Sequence, residues 1–200
     1  MGLLNLAKLE DSKRKFTLYH EKMESSIHKL EEFISSIIQY STSAKSNVQI
    51  TPIDFNELID DSLDELQFHE GFEKIEIEKN IHINGIFNSD KKRIQIIINN
   101  LLSNSIKYQD RNKLKPKILI NIKVENDKVT IAIEDNGIGI KRELQQNVFS
   151  MFYRASENSY GSGLGLYIIN ETIIRLNGNI LLESEEGKFS RFIVELPNMN

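Results

Sequence analysis

The chain has 200 residues, 40% apolar and 27% charged, enough for one globular domain of about 150 residues with an appendage. Its formal net charge of -4 supplies no excess of Lys and Arg to neutralise phosphates, which excludes nucleic acid as an expected partner. With no cysteine there is no disulfide framework, thiolate zinc site or cysteine nucleophile, and a reducing, cytoplasmic setting is expected. The longest apolar runs, such as 94–102, are broken by Gln95, Asn99 and Asn100 and fall short of the roughly 20 residues that span a bilayer. A soluble piece is therefore expected, whether or not a longer parent is membrane-anchored. Residues 1–9 lack the basic start and long apolar run of a secretory signal and read as a cut made inside a helix.

In chain order, Phe16, Met23, Leu30 and Ile37 recur every seventh residue, with Tyr19, Ile27, Phe33, Ile34 and Tyr40 beside them. This predicts a helix over 11–41 with a broad packing seam. Such a stripe suits an antiparallel helical hairpin or a dimeric bundle. Residues 2–10 read as the end of a first helix too short to cover it. Either a second copy completes a homodimer or the first helix is truncated. The polar run 41–47 places a boundary, giving a helical stalk over 1–50 and a second unit over 51–200.

Asp54 with Glu57 resembles an N-cap, followed by Phe55, Leu58, Ile59, Leu63 and Leu66 on one helical face to about Phe68. Residues 75–81 alternate between Gly71 and Gly85 as a strand. Ser89-Asp90 caps a helix running to Tyr108, and 116–124 with 128–134 form a hairpin across Asn126-Asp127. A further helix over 164–176 closes at Asn177-Gly178, and strands 179–184 and 190–196 turn near Glu186-Gly187. Strands joined mainly by hairpins, with helices gathered on one face, predict an open α+β two-layer sandwich.

Three segments carry candidate chemistry. Asn100, Asn104 and Lys107 are spaced by four and three, so two amides and an ammonium share one helix side while Ile94, Ile97, Ile98 and Leu101 face the core. An amide oxygen plus nucleotide phosphates can complete the shell of Mg²⁺. The same spacing also suits an ordinary solvated face. Asp135-Asn136-Gly137-Ile138-Gly139 follows a strand directly; its glycines permit close backbone approach, and Asp135 can accept from an exocyclic amine such as that of adenine. A plain turn would use the same residues. Gly161-Ser162-Gly163-Leu164-Gly165-Leu166 opens a helix, where unpaired N–H groups and the helix dipole favour phosphate. It matches neither a dinucleotide fingerprint nor a P-loop.

In this order, the segment 100–108 resembles the N-box of histidine kinases, Asp135-x-Gly137-x-Gly139 their G1 box and Gly161-x-Gly163-x-Gly165-Leu166 their G2 box. Between the last two, 149–154 resembles the F-box, with Phe149, Phe152 and Arg154. Residues 51–196 are thus identified as similar to the histidine kinase catalytic domain of the Bergerat ATP-binding superfamily, which also includes DNA gyrase, Hsp90 and MutL. The resemblance implies a mixed sheet with helices on one face, ATP and Mg²⁺ as ligands, and a response regulator receiver domain as partner. It implies that Asn104 holds Mg²⁺ with Asn100 assisting or bonding a phosphate, and that Lys107 pairs with phosphates beside Tyr108. Asp135 would read the adenine amine, Arg154 would reach the γ-phosphate, and the lid over 140–161 would be mobile.

Hydrolases of the superfamily carry Glu four residues before the magnesium Asn. Here Asn100 stands there, and an amide cannot act as a general base. Phosphoryl transfer to a stalk histidine is therefore the expected activity, in place of rapid hydrolysis. His20-Glu21-Lys22 matches the family's acceptor motif only superficially, since Arg and Pro do not follow. His20 falls on the second stalk helix, so the acceptor is expected upstream of Met1 and the chain alone is not expected to autophosphorylate. A degenerate binding scaffold is disfavoured by the intact Asn104, Asp135 and glycines. A serine-directed kinase or anti-sigma factor is disfavoured by the stalk.

Overall fold

Asp54 opens the first helix after the short strand β1 (Ile50–Pro52) because its carboxylate accepts from the Asn56 and Glu57 amides. In this computed structural model the described residues are 47–110, 113–125, 127–153 and 163–199, with scattered helical positions between 17 and 38. Helix α1 (Phe55–Leu66) buries Phe55, Leu58, Ile59 and Leu66, the 3.6-residue stripe expected of it. A single turn of 3₁₀ helix (Phe72–Lys74) leads to β2 (Glu76–Ile83), then β3 (Asn88–Asp90) and α2 (Lys91–Lys107). There follow β4 (Lys117–Glu125), β5 (Lys128–Asp135), the short α3 (Arg142–Gln145), α4 (Gly165–Arg175), β6 (Asn179–Glu185) and β7 (Phe189–Pro197).

The main sheet runs β2-β4-β5-β7-β6, with β2 parallel to β4 and the other neighbours antiparallel. Hairpins join β4 to β5 and β6 to β7; β2 and β4 are instead joined by a crossover that contains α2. The expectation of strands joined mainly by hairpins is corrected accordingly, because a parallel pair demands a long crossover. Every second residue of β4, β5 and β7 is buried: Ile118, Ile120 and Ile122; Val129, Ile131 and Ile133; Phe192, Val194 and Leu196. The intervening residues stay half-exposed or exposed, as in a sheet covered on one face. Ile94, Ile97, Ile98 and Leu101 of α2, with Ile169 and Ile173 of α4, supply the facing layer. The two-layer α+β sandwich is therefore the architecture observed.

A second, two-stranded sheet of β1 and β3 stands outside the main one, with Ile50 opposite Asp90. Asp90 does three jobs there. Its carboxylate caps α2 through the Arg93 amide, accepts from the Gln49 amide at 3.0 Å, and pairs with the Arg93 guanidinium, both side chains being buried. The pair fixes where α2 starts, and so where every functional side chain on that helix lies. Helical positions between 17 and 38 leave Ile27, Leu30, Ile34 and Ile37 exposed. Phe33 is half-buried.

Candidate functional site

Helix α2 is the wall that joins the three segments. Its buried stripe faces the sheet, which turns Asn100, Asn104 and Lys107 toward the partly exposed side. Midway along it, Asn100 donates from Nδ2 to the Ile96 carbonyl at 2.8 Å, and its Oδ1 lies where a Cβ on Gly165 would meet it at 3.0 Å. Gly165 is the first residue of α4. Among the described residues no side chain caps that helix. One turn beyond Asn100, the Asn104 side chain makes no hydrogen bond among the described residues.

At its C-terminal end α2 holds the loop after β5. The Tyr108 carbonyl accepts from the Ile138 amide at 3.0 Å, and a Cβ on Gly137 would overlap that same carbonyl oxygen. Only glycine lets the two backbones meet this closely. Gly139 has φ +64 and presses on the Glu185 carbonyl, so here both the angle and the space demand glycine. Asn136 is turned the other way: its Oδ1 accepts from the Lys117 amide at 2.8 Å and its Nδ2 donates to the Lys115 carbonyl at 2.9 Å.

Asp135 closes β5 and is 4% exposed. One carboxylate oxygen accepts from the Gly137 amide at 2.9 Å, and the other accepts from the Ser105 hydroxyl at 3.3 Å. Burial pushes its pKa up to about 6; the Gly137 and Ser105 bonds and the Lys113 ammonium restrain the rise, while Glu134 adds to it. A carboxylate kept in a dry place with so few donors is poised to take one more.

The F-box phenylalanines part company. Phe149 packs edge-on against Phe192 of β7, at 6.4 Å between ring centroids, and joins the core. Phe152 turns outward with φ +62, and its ring stacks on Phe33 of the leading helix at 6.1 Å. Gly163, at φ +72, backs onto it: a Cβ there would stand 3.0 Å from the Phe152 carbonyl carbon and 2.9 Å from the Tyr153 oxygen. Leu166 packs against the core. Arg154 and Gly161 lie outside the described residues, as does much of the expected lid. Its described part holds α3, where Gln145 donates to the Ile140 and Ser184 carbonyls.

Sequence reasoning missed Ser105, which touches Asp135, and Lys113, which reaches the backbone of the Asp135 loop. Ser105 lies within the N-box and could have been found; nothing local marks Lys113. A cavity of about 580 Å³ is lined by Ile140, Arg142, Gln145, Ser184 and Glu186 among others, and includes none of the expected site residues.

Residues 89–200 match the family model described as histidine kinase-, DNA gyrase B-, and HSP90-like ATPase. The chain belongs to this family. Within it, the domain is of the histidine kinase catalytic, ATP-binding type. The sensor histidine kinase AtsR of Burkholderia thailandensis is 28% identical over 192 residues, 88% of this chain and 31% of AtsR. The chain thus spans about a third of that relative. The catalytic domain of histidine kinase ThkA is 27% identical, with a TM-score of 0.64 over 75% of this chain and 96% of ThkA's. Full-length ShkA, solved in complex with AMPPNP, shares the fold over 98% of this chain and 42% of its own, with a TM-score of 0.73 at 19% identity. Among the described residues no helix is long and apolar enough to cross a membrane.

Proposed function

We propose that this chain binds Mg-ATP across α2 and presents the γ-phosphate to a histidine carried on a helical stalk, within a two-component system. What carries the reading is that one helix touches both glycine segments: Asn100 meets Gly165, while Ser105 and Tyr108 hold the Asp135 loop. Asp135 reads the adenine amine. The N-terminus of α4 and Lys107 receive the phosphates.

The residues present fit Mg²⁺ of the kind that is bound largely through substrate. Among the described residues there is no group of three or more His, Asp or Glu able to cage a metal. Asn104 offers one amide oxygen on the same helix side as Lys107, and Mg²⁺ commonly takes one or two protein oxygens, with phosphates and water completing the octahedron. When bound, the ion would offset the phosphate charge. Phe149 and Phe152 act as anchors for the base of the lid, as supported by their contacts with Phe192 and Phe33. Arg154 and Gly161 keep the γ-phosphate and phosphate-loop roles that their motif positions imply.

The division into a stalk over 1–50 and a catalytic unit over 51–200, homodimerisation through the stalk, and a receiver-domain partner belong to the same proposal. The exposed Ile27, Leu30, Ile34 and Ile37 support the homodimer. Rapid hydrolysis is not proposed, because Asn100 stands where a base would have to act and its amide is turned onto Ile96. Calorimetric titration with a non-hydrolysable ATP analogue, with and without Mg²⁺, tests the reading. Saturable binding that strengthens with Mg²⁺ is expected; no binding at millimolar nucleotide overturns it.

A further inference from the structure

We propose that Lys113 is a positioning residue for base recognition: its ammonium holds the loop that carries Asp135 in the register where the carboxylate meets an adenine amine. The proposal rests on Asp135 being the base-reading group. Lys113 lies in the connection between α2 and β4, and its Nζ donates to three carbonyls, those of Asn136, of Gly137 at 3.3 Å and of Lys188 at 2.9 Å. An ammonium has three donors and no acceptor, so its capacity is filled by this one cluster.

The three carbonyls come from two separate places. Asn136 and Gly137 follow Asp135 directly, and Lys188 lies in the turn between β6 and β7. Carbonyl dipoles converging on one point repel each other, and a cation at their focus turns that repulsion into charge-assisted bonding. The Gly187 amide adds a parallel tie to Ile138 at 2.7 Å. The Asp135 loop is thus strapped to the far hairpin on one side, while Asn136 fastens it to the start of β4 on the other. Between these ties sits Gly137, whose amide bonds the Asp135 carboxylate.

The ammonium also acts on the carboxylate through space. The charged groups that bear on Asp135 are Lys113, which favours its ionised form, and Glu134, which opposes it; Ser105 and Gly137 supply the neutral donors. Removing the Lys113 charge therefore makes Asp135 take up its proton at a higher pH. Because the ionised carboxylate is the better acceptor, adenine binding should then fall off at a higher pH too. A residue that only stiffened the fold would not move that midpoint.

The test is competition binding of non-hydrolysable ATP and GTP analogues to this chain between pH 5 and 8, comparing Lys113→Met, Lys113→Arg and Asp135→Asn with wild type. Lys113→Met is expected to weaken the ATP analogue on the order of tenfold, to leave the GTP analogue nearly unchanged, and to move the pH midpoint upward. Lys113→Arg should recover most of both effects. Lys113→Gln replaces the Met variant if the latter does not fold, as judged by its thermal melt. An unchanged ATP-to-GTP ratio and midpoint in the uncharged variant, alongside a collapsed ratio in Asp135→Asn, overturns the role of Lys113 alone. A normal ratio in Asp135→Asn overturns the base-reading assignment and this proposal with it.

Discussion

Among the described residues, the two glycine segments of the site meet different neighbours. Around Gly137 and Gly139 nearly every polar atom is committed: Tyr108 to Ile138, Asn136 to β4, Ile140 to the Ser184 hydroxyl, and Lys113 across to Lys188. Around Gly163 and Gly165, among the described residues, the Phe152–Tyr153 backbone and the Asn100 amide oxygen come close. In the proposed reading, the first set of ties shapes the seat for the base before any ligand arrives, which lowers the ordering cost of binding. The second segment places the start of α4 near a left-handed Phe152 whose ring leans on the leading helix. The Asp135 loop is thus held by the fold itself, while Phe152 beside the second segment touches Phe33 of the leading helix.

Gly137→Ala should break the first set of ties most severely. The new Cβ overlaps the Tyr108 carbonyl and crowds Asp135, neither of which can yield without moving the loop. A loss of affinity for the ATP analogue of about a hundredfold or more is expected by calorimetry, since small misplacements of positioned groups are costly. Gly165→Ala is the contrast: among the described residues its Cβ meets the Asn100 side chain at 3.0 Å, and that amide can swing aside.

Asn104→Ala should come next, removing most of the gain in affinity that Mg²⁺ brings while leaving the weaker Mg-free binding in place. Titrations at several Mg²⁺ concentrations would show this; an unchanged Mg²⁺ dependence removes Asn104 from its role.

Asp135→Asn should weaken the ATP analogue by roughly tenfold yet stabilise the free protein. The folded pKa of Asp135 is raised from 3.8 to about 6, so the folded state holds a proton that the unfolded state has released. The associated stability is fully present below about pH 4 and is lost as pH rises through 6. Above that the ionised, buried carboxylate is a net cost, and its amide replacement should gain about 1–2 kcal/mol in urea melts at pH 7.5. A destabilised variant would show that the Gly137 and Ser105 bonds outweigh burial.

The smallest expected effect is that of Phe33→Ala, which removes one half-exposed aromatic stack of about 1 kcal/mol. Nucleotide affinity should shift by no more than about threefold. A larger change would mean that the leading helix acts on the second glycine segment more tightly than the Phe33–Phe152 contact suggests.

Much of this was written in local patterns. The caps at Asp54 and Asp90 act on amides within three residues, and the buried stripe of α2 follows the helix period, so spacing alone located them. The glycines at 137, 139, 163 and 165 stood out in their motifs, but the backbones and side chains they approach, at Tyr108, Glu185, Phe152 and Asn100, are remote in the chain and only the fold shows them. The pairing of β1 with β3 was not legible, because each is three residues long and Asn88-Ser89-Asp90 reads as a cap. The split between Phe149 and Phe152 was equally hidden, since a two-letter likeness cannot say which ring meets Phe192 and which meets Phe33.

By itself, then, the sequence determined the family, the kinds of group in the site and the elements that bear them, because helix periodicity, capping and turn chemistry are short-range. Only the tertiary structure decided that β2 runs parallel to β4, that Lys113 straps Asn136 to Lys188, and that Asp135 is buried beside Ser105. Each of these joins residues tens of positions apart. Their energies depend on which surfaces the packed sheet brings together and on how much water it excludes, and no local pattern encodes either.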